Sequence, residues 1–227
     1  MTDKPMLSDD IEQIHFYWSF RSHYCYLGLD RILALEQDFP VQIGLRPVYP
    51  IAIRNPQFFS QQPRDPKRWR YIVRDAERIA DSLALPFAWP DPDPVRMNMQ
   101  TMEIAAEQPY IFRLTGLAMA ADRQGRGLEF TAEVARVIWG GTRDWDRDDH
   151  LHAAANRAGL DLDELDRDCR ENKSQYDEAV KANERALGEA GHWGVPTVVF
   201  RGEPFFGQDR IDLCRWRMKQ QGLPEKG

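Results

Sequence analysis

The chain has 227 residues, with 30 Lys and Arg against 36 Asp and Glu for a formal net charge of −6. A chain of this length buries a sizeable core without disulfides or metals, and 42% hydrophobic with 29% charged residues is the make-up of a globular protein. The acidic balance argues against a nucleic-acid partner, and no run of about 18 apolar residues is present to span a membrane. Cys25, Cys169 and Cys214 are far apart, show no metal-ligand spacing and read as free thiols. The opening MTDKPMLSDDIE holds no apolar signal segment, so a cytoplasmic location is expected.

Gln13 to Ser19, QIHFYWS, is short and aromatic and predicts a strand. A polar turn at Arg21 to His23 leads into Tyr24 to Phe39, whose Tyr26, Leu29, Leu33 and Leu35 lie near helical spacing before Pro40 closes the segment. Val41 to Val48 alternates apolar and polar residues and predicts a second strand, completing a β-α-β unit with parallel strands. A loop follows from Asn55, then an amphipathic helix from Pro66 to Leu83 with Trp69, Ile72, Val73, Ala76, Ile79, Ala80 and Leu83 on its apolar face. Leu85 to Val95 carries four prolines and must be an extended connection.

Between Met97 and Ala190 the patterns predict helices at Pro109–Arg123, Glu129–Trp139, Asp148–Ala158, Asp163–Arg170 and Ser174–Glu189. The acidic run Asp144 to Asp149 fits helix caps on a solvated surface better than a cation site, so no metal is expected. Gly194 to Phe200 and Glu203 to Gly207 then predict a hairpin, and Asp209 to Gln220 a closing helix. With SHYC at the turn into the first helix and Val195-Pro196 before the hairpin, this order of elements resembles an α/β thioredoxin-like fold with a large all-helical insertion. Residues 11–60 and 191–222 would form the thioredoxin-like domain, and 61–190 the inserted helical domain.

Specific segments carry a narrower resemblance. FYWSFRSHYCYLG is similar to the opening F-Y-D-x-x-S-P-Y-S-Y/W-L of the 2-hydroxychromene-2-carboxylate isomerases and kappa-class glutathione transferases. WGVPTVVFRGEPFFGQDRIDL resembles their closing segment, RVIWGGTRDW their W-x-x-G/N-x-D-I element, and YIVRDAERIADSLALPF their R-D-L-x-R-x-A helix. The resemblance touches most of the chain and is most specific at its two ends.

What it implies about the site is a glutathione thiol held by Ser22, where thioredoxin-like relatives carry the first cysteine of Cys-x-x-Cys. A serine at a helix start is also a preferred N-cap, beside free backbone N–H groups worth roughly half a positive charge. A thiolate placed there gains a hydroxyl donor and a favourable field, which lowers its pKa. Val195-Pro196 would hold the superfamily's cis proline, exposing the Val195 backbone for strand-like pairing with a peptide ligand. Gln208, Asp209 and Arg210, after Gly207, would bind the γ-glutamyl end, Asp209 pairing with its ammonium. The bland alternative there is a capping box closed by Asp212. Asn55 matches loosely a family Gly-Asn stretch. Arg46, Tyr71 and Trp139 are candidates to line the substrate pocket, Arg46 for a carboxylate; each has an alternative as core or strand-edge residue. A small aromatic or electrophilic substrate and a homodimer are also implied.

Three departures mark this chain. His23 replaces the family proline, Cys25 gives Ser-x-x-Cys, and Trp18 replaces the acidic residue after Phe-Tyr. His23 could assist an incoming thiolate, although an exposed surface histidine is the commoner case. Cys25, one turn inside the helix, suits a small buried hydrophobe better than a nucleophile. The leading expectation is a glutathione-dependent isomerase. The alternatives are a kappa-like transferase, a thiol–disulfide oxidoreductase, weakened because exchange needs a thiolate where Ser22 stands, and a non-catalytic module that binds a small acid.

Overall fold

The computed structural model describes residues 11–57, 65–98, 100–101 and 103–226. Strand β1 (Glu12–Trp18) enters helix α1 (His23–Asp38) and returns through β2 (Val41–Pro47), parallel to β1 in the register Glu12↔Val41 to Trp18↔Pro47. A four-residue turn of helix, α2 (Ile51–Arg54), follows. Helices α3 (Pro66–Ser82), α4 (Ile111–Arg123), α5 (Gly127–Trp139), α6 (His150–Arg157), α7 (Leu162–Glu171) and α8 (Lys173–Glu189) come before the sheet resumes. It resumes as the antiparallel hairpin β3 (Thr197–Phe200) and β4 (Glu203–Phe206), and α9 (Ile211–Gln220) closes the chain. The sheet order is β2-β1-β3-β4. The expected boundary between residues 60 and 61 lies outside the described residues.

Alternation along β1 decides which face each element covers. Ile14, Phe16 and Trp18 point into the main core with Cys25, Leu29, Ile32 and Leu35 of α1 and Cys214 and Met218 of α9. Tyr17 points the other way, into a smaller cluster with Val48, Val199 and Leu187 of α8. The main core continues without a break into the helices through Leu114, Leu117, Phe130, Ile138 and Trp145. Polar contacts tie the same junction: the Trp139 indole N–H donates to the Phe20 carbonyl at 2.9 Å, and the Tyr26 hydroxyl to the Pro86 carbonyl at 2.6 Å.

Most expected spans shift by one or two residues at an end, and two differ in kind. The Gly194–Pro196 segment, whose Val195–Pro196 peptide is cis, is a loop instead of the start of a strand, because Pro196 has no N–H to donate to a ladder. The closing helix begins at Ile211, preceded by a 3-10 turn over Gln208–Arg210.

Candidate functional site at the start of the first helix

Ser22 is the N-cap of α1, in extended backbone (φ −93°, ψ 108°), and its side-chain oxygen accepts the Cys25 N–H at 3.2 Å. Such a cap is worth about 1 kcal/mol. Its hydroxyl also reaches across to the Val195 carbonyl at 3.4 Å, 173 residues away. The Pro196 carbonyl accepts the Gly207 N–H at 2.8 Å. Ser22, the cis-proline loop and the turn holding Gln208, Asp209 and Arg210 are thereby joined at one corner of the fold.

Glycine makes that corner possible at two positions. Gly28 lets α1 approach the turn: a Cβ there would lie 3.1 Å from Gln208 Cβ and 3.2 Å from Ile211 Cδ1. Gly207 has φ +104°, which only glycine adopts readily, and an added Cβ would meet Asp209 Oδ1 at 2.5 Å. Arg31, three residues beyond Gly28, donates to Gln208 Oε1.

The alternative of a capping box closed by Asp212 does not form. Neither Gly207 nor Arg210 makes a side-chain cap bond, and the Asp209 carboxylate pairs instead with the Arg210 guanidinium at 2.6 Å. A 3-10 turn moves the start of α9 to Ile211, which takes Asp212 out of register for closing a box. Asp209 and Arg210 are both more than half exposed.

Cys25 is fully buried, and its thiol is pushed up to about 12 by burial, against the hydrogen bonds from Ser22 and Ser19. It is a closed-off core residue at neutral pH, so no reactive thiolate stands at this helix start.

His23 departs from the exposed surface histidine that residue statistics favour. Its ring lies 4.0 Å from Tyr24, 5.1 Å from Trp89 and 6.0 Å from Trp139 between centroids. Burial lowers its pKa to about 4, opposed by the Asp75 carboxylate and aided by Arg21. It is therefore neutral at physiological pH and brings no positive charge to the α1 N-terminus. The imidazole departs from the family proline in chemistry but serves as an aromatic filler.

The other candidates separate. Trp139 is buried, 2% exposed, and is part of the wall beside His23. Tyr71 on α3 is 61% exposed, so it is no core residue; its neighbour is Tyr24, whose hydroxyl donates to Asp75 at 3.1 Å. Burial first, and then that bond to Asp75, raise the Tyr24 hydroxyl to about 12, and Asp209 also acts on it.

Arg46 is the clear misplacement. On β2 it stands opposite Tyr17, so its side chain lies on the sheet face covered by α8 and not on the face of α1. Its Nε donates to His15 Nδ1 at 3.4 Å, and its charge partly offsets the burial that raises Asp122 of α4. It cannot meet a substrate held at Ser22, because strand alternation turns it to the other side. Asn55 is the exposed C-cap of α2, its N–H bonded to the Ile51 carbonyl at 2.9 Å. Its neighbour Arg54 donates to the Trp193 carbonyl at 2.8 Å, which brings α2 against the loop before Val195.

Sequence reasoning missed Tyr24, Asp75 and Trp89. Tyr24 lies inside SHYC itself, but nothing local shows that α3 presents Asp75 to it. Trp89 is hidden in the proline-rich connection, where periodicity carries no information.

Among the described residues no group of three or more His, Cys, Asp or Glu could hold a metal ion, and no helix is long and apolar enough to cross a membrane.

Comparison with known proteins agrees with this geometry. No curated protein matches the sequence. Among solved structures, a 2-hydroxychromene-2-carboxylate isomerase superposes with TM-score 0.70 at 20% identity, covering 92% of this chain and 95% of the other. The cytosolic disulfide reductase DsbM from Pseudomonas aeruginosa, solved with GSH, gives 0.58 at 16% identity over 91% and 99%. The thiol-disulfide exchange protein α-DsbA2 from Wolbachia pipientis gives 0.56 at 10% identity over 92% and 81%. At these identities the likeness is one of fold. The family model of the DSBA-like thioredoxin domain matches residues 13–219, nearly the whole chain, and the protein belongs to that family.

Proposed function

We propose that this protein is a glutathione-dependent isomerase of the 2-hydroxychromene-2-carboxylate isomerase type, acting on an unsaturated aromatic keto acid. The observation that carries the reading is Ser22: a hydroxyl at the α1 N-cap, facing the cis-proline loop, in the position where exchange enzymes of this fold need a thiolate. Cys25, the one cysteine nearby, is sealed in the core. Thiol–disulfide exchange through this chain's own sulfur has no attacking group there.

The residues fit a thiol tripeptide. The Ser22 hydroxyl can turn from the Val195 carbonyl to donate to a sulfur, while the α1 N-terminus contributes its partial positive charge. The Val195 carbonyl, released when Ser22 turns away, suits an extended peptide, and Asp209 and Arg210 offer one charge of each sign to a zwitterionic γ-glutamyl end. Glutathione, when bound, supplies the nucleophile that adds reversibly across the substrate double bond, allowing rotation before elimination. What the chain supplies is the Ser22 hydroxyl that donates to the bound thiolate, a rigid aromatic wall from Trp139, Trp89 and His23, and neutrality at His23. A kappa-like transferase would use the same thiol site and stop at the adduct.

The test is thermal. Glutathione at a hundredfold excess over its dissociation constant should stabilise the fold by about 2.7 kcal/mol, with S-methyl-glutathione less effective. Absence of any melting shift at millimolar glutathione removes the reading.

A further inference from the structure

We infer that a second site, in the helical part of the chain, binds a small zwitterion: an α-amino acid with an apolar side chain. An open surface pocket of about 380 Å³ lies between the connection after α3 and the turn after α5, lined by Ala88, Trp89, Asp91, Ile138, Gly141, Thr142 and Arg143. That volume suits a ligand of this size.

Its walls are built and tied together. The Ala88 N–H donates to the Trp139 carbonyl at 2.8 Å, the Asp144 N–H to the Asp91 carbonyl at 3.0 Å, and the Trp145 indole N–H to the Pro92 carbonyl at 2.7 Å. The two segments are thus held in place before any ligand arrives, which lowers the ordering cost of binding.

The polar lining is two opposite charges and a hydroxyl. Arg143 and Asp91 face one cavity, yet no ion pair joins them to each other or to another described residue. Thr142 adds a hydroxyl, and Trp89, Ala88 and Ile138 add apolar surface. The buried Trp89 indole N–H also has no acceptor among the described residues. A plain carboxylate would gain Arg143 but meet the repulsion of Asp91, and an amine the reverse. A molecule with both charges pairs with both groups at once. An apolar side chain then lies against the indole. This site adjoins the Ser22 corner through Trp89, which borders both, but its charged groups Asp91 and Arg143 have no part in the activity proposed there.

The experiment is calorimetric titration of the full chain with L-phenylalanine, 3-phenylpropionate and phenethylamine, which share a ring and differ in charge. L-phenylalanine should bind saturably at millimolar concentration or below, and each singly charged analogue about tenfold more weakly, the loss of one charge-assisted contact. Arg143→Ala should weaken L-phenylalanine about tenfold while binding phenethylamine no more weakly than the parent, and Asp91→Asn should weaken it while binding 3-phenylpropionate no more weakly than the parent. Both positions are exposed, so melting temperature and glutathione stabilisation should hold in both variants. The inference is overturned if L-phenylalanine shows no saturable heat, if either analogue binds as well, or if both variants bind like the parent.

Discussion

His23 makes an unusual acid sensitivity, and its size follows from its surroundings. Among Tyr24, Trp89 and Trp139 the imidazole has a pKa of about 4 in the folded chain against 6.5 when unfolded. A depressed histidine pKa means the unfolded state binds the proton more readily, so stability falls as pH falls. The loss begins near pH 6.5, where the unfolded chain protonates, and is complete near pH 4, where the folded chain does. At 1.36 kcal/mol per unit the difference amounts to about 3 kcal/mol. His23→Phe keeps an aromatic ring in the cluster and removes the titration. Urea denaturation of both proteins at intervals from pH 7 to pH 4 measures it. The rest of the chain contributes equally to both curves, so the quantity of interest is the parent curve minus the variant curve. The parent should lose about 3 kcal/mol more than His23→Phe. The His23 ring proton signal should also stay in its neutral position above pH 5 by NMR. Parallel curves would refute the burial argument, and a signal titrating near 6.5 would restore His23 as a candidate cation beside the thiol.

Other outcomes are expected at the same corner. Ser22→Ala should raise the pKa of bound glutathione by about one to two units, slow turnover of an electrophile roughly tenfold to a hundredfold at neutral pH, and lower stability by about 1 kcal/mol through the lost cap; thiolate absorbance against pH reads the first effect. Cys25→Ala should cost about 1 kcal/mol in packing and little rate, and complete loss of activity would return the chain to the oxidoreductase class. Asp209→Ala should weaken glutathione about tenfold by calorimetry, with a melting change no larger than an exposed ion pair accounts for. Arg46→Ala should leave turnover unchanged, because its side chain lies on the other sheet face; a large fall in kcat would mean that the site extends around β2.

The order of elements was legible in the chain because it rests on local rules. Seven residues of aromatic strand, a serine cap and a helix ended by Phe39-Pro40 are visible in Glu12 to Pro40 alone, and the structure differs by a residue at each end. Ser22 was legible for the same reason: an N-cap is a local event. The burial of Cys25 was also legible, one turn into a helix that must face the sheet.

What spans the chain was not. Arg46 looked available because alternation says that a strand residue faces one side or the other, but not which side the helices leave for a ligand. His23 looked exposed because only tertiary packing brings Trp89 and Trp139 against it, from residues 66 and 116 positions away. The capping box stood as an alternative at Asp209 because a 3-10 turn and an α-helix share the same first residues. Local propensity and periodicity therefore determined the elements, their order and the capped serine. Which charges meet, which ring is buried and which face of the sheet holds the site depend on contacts between distant segments, and those only the folded chain decides.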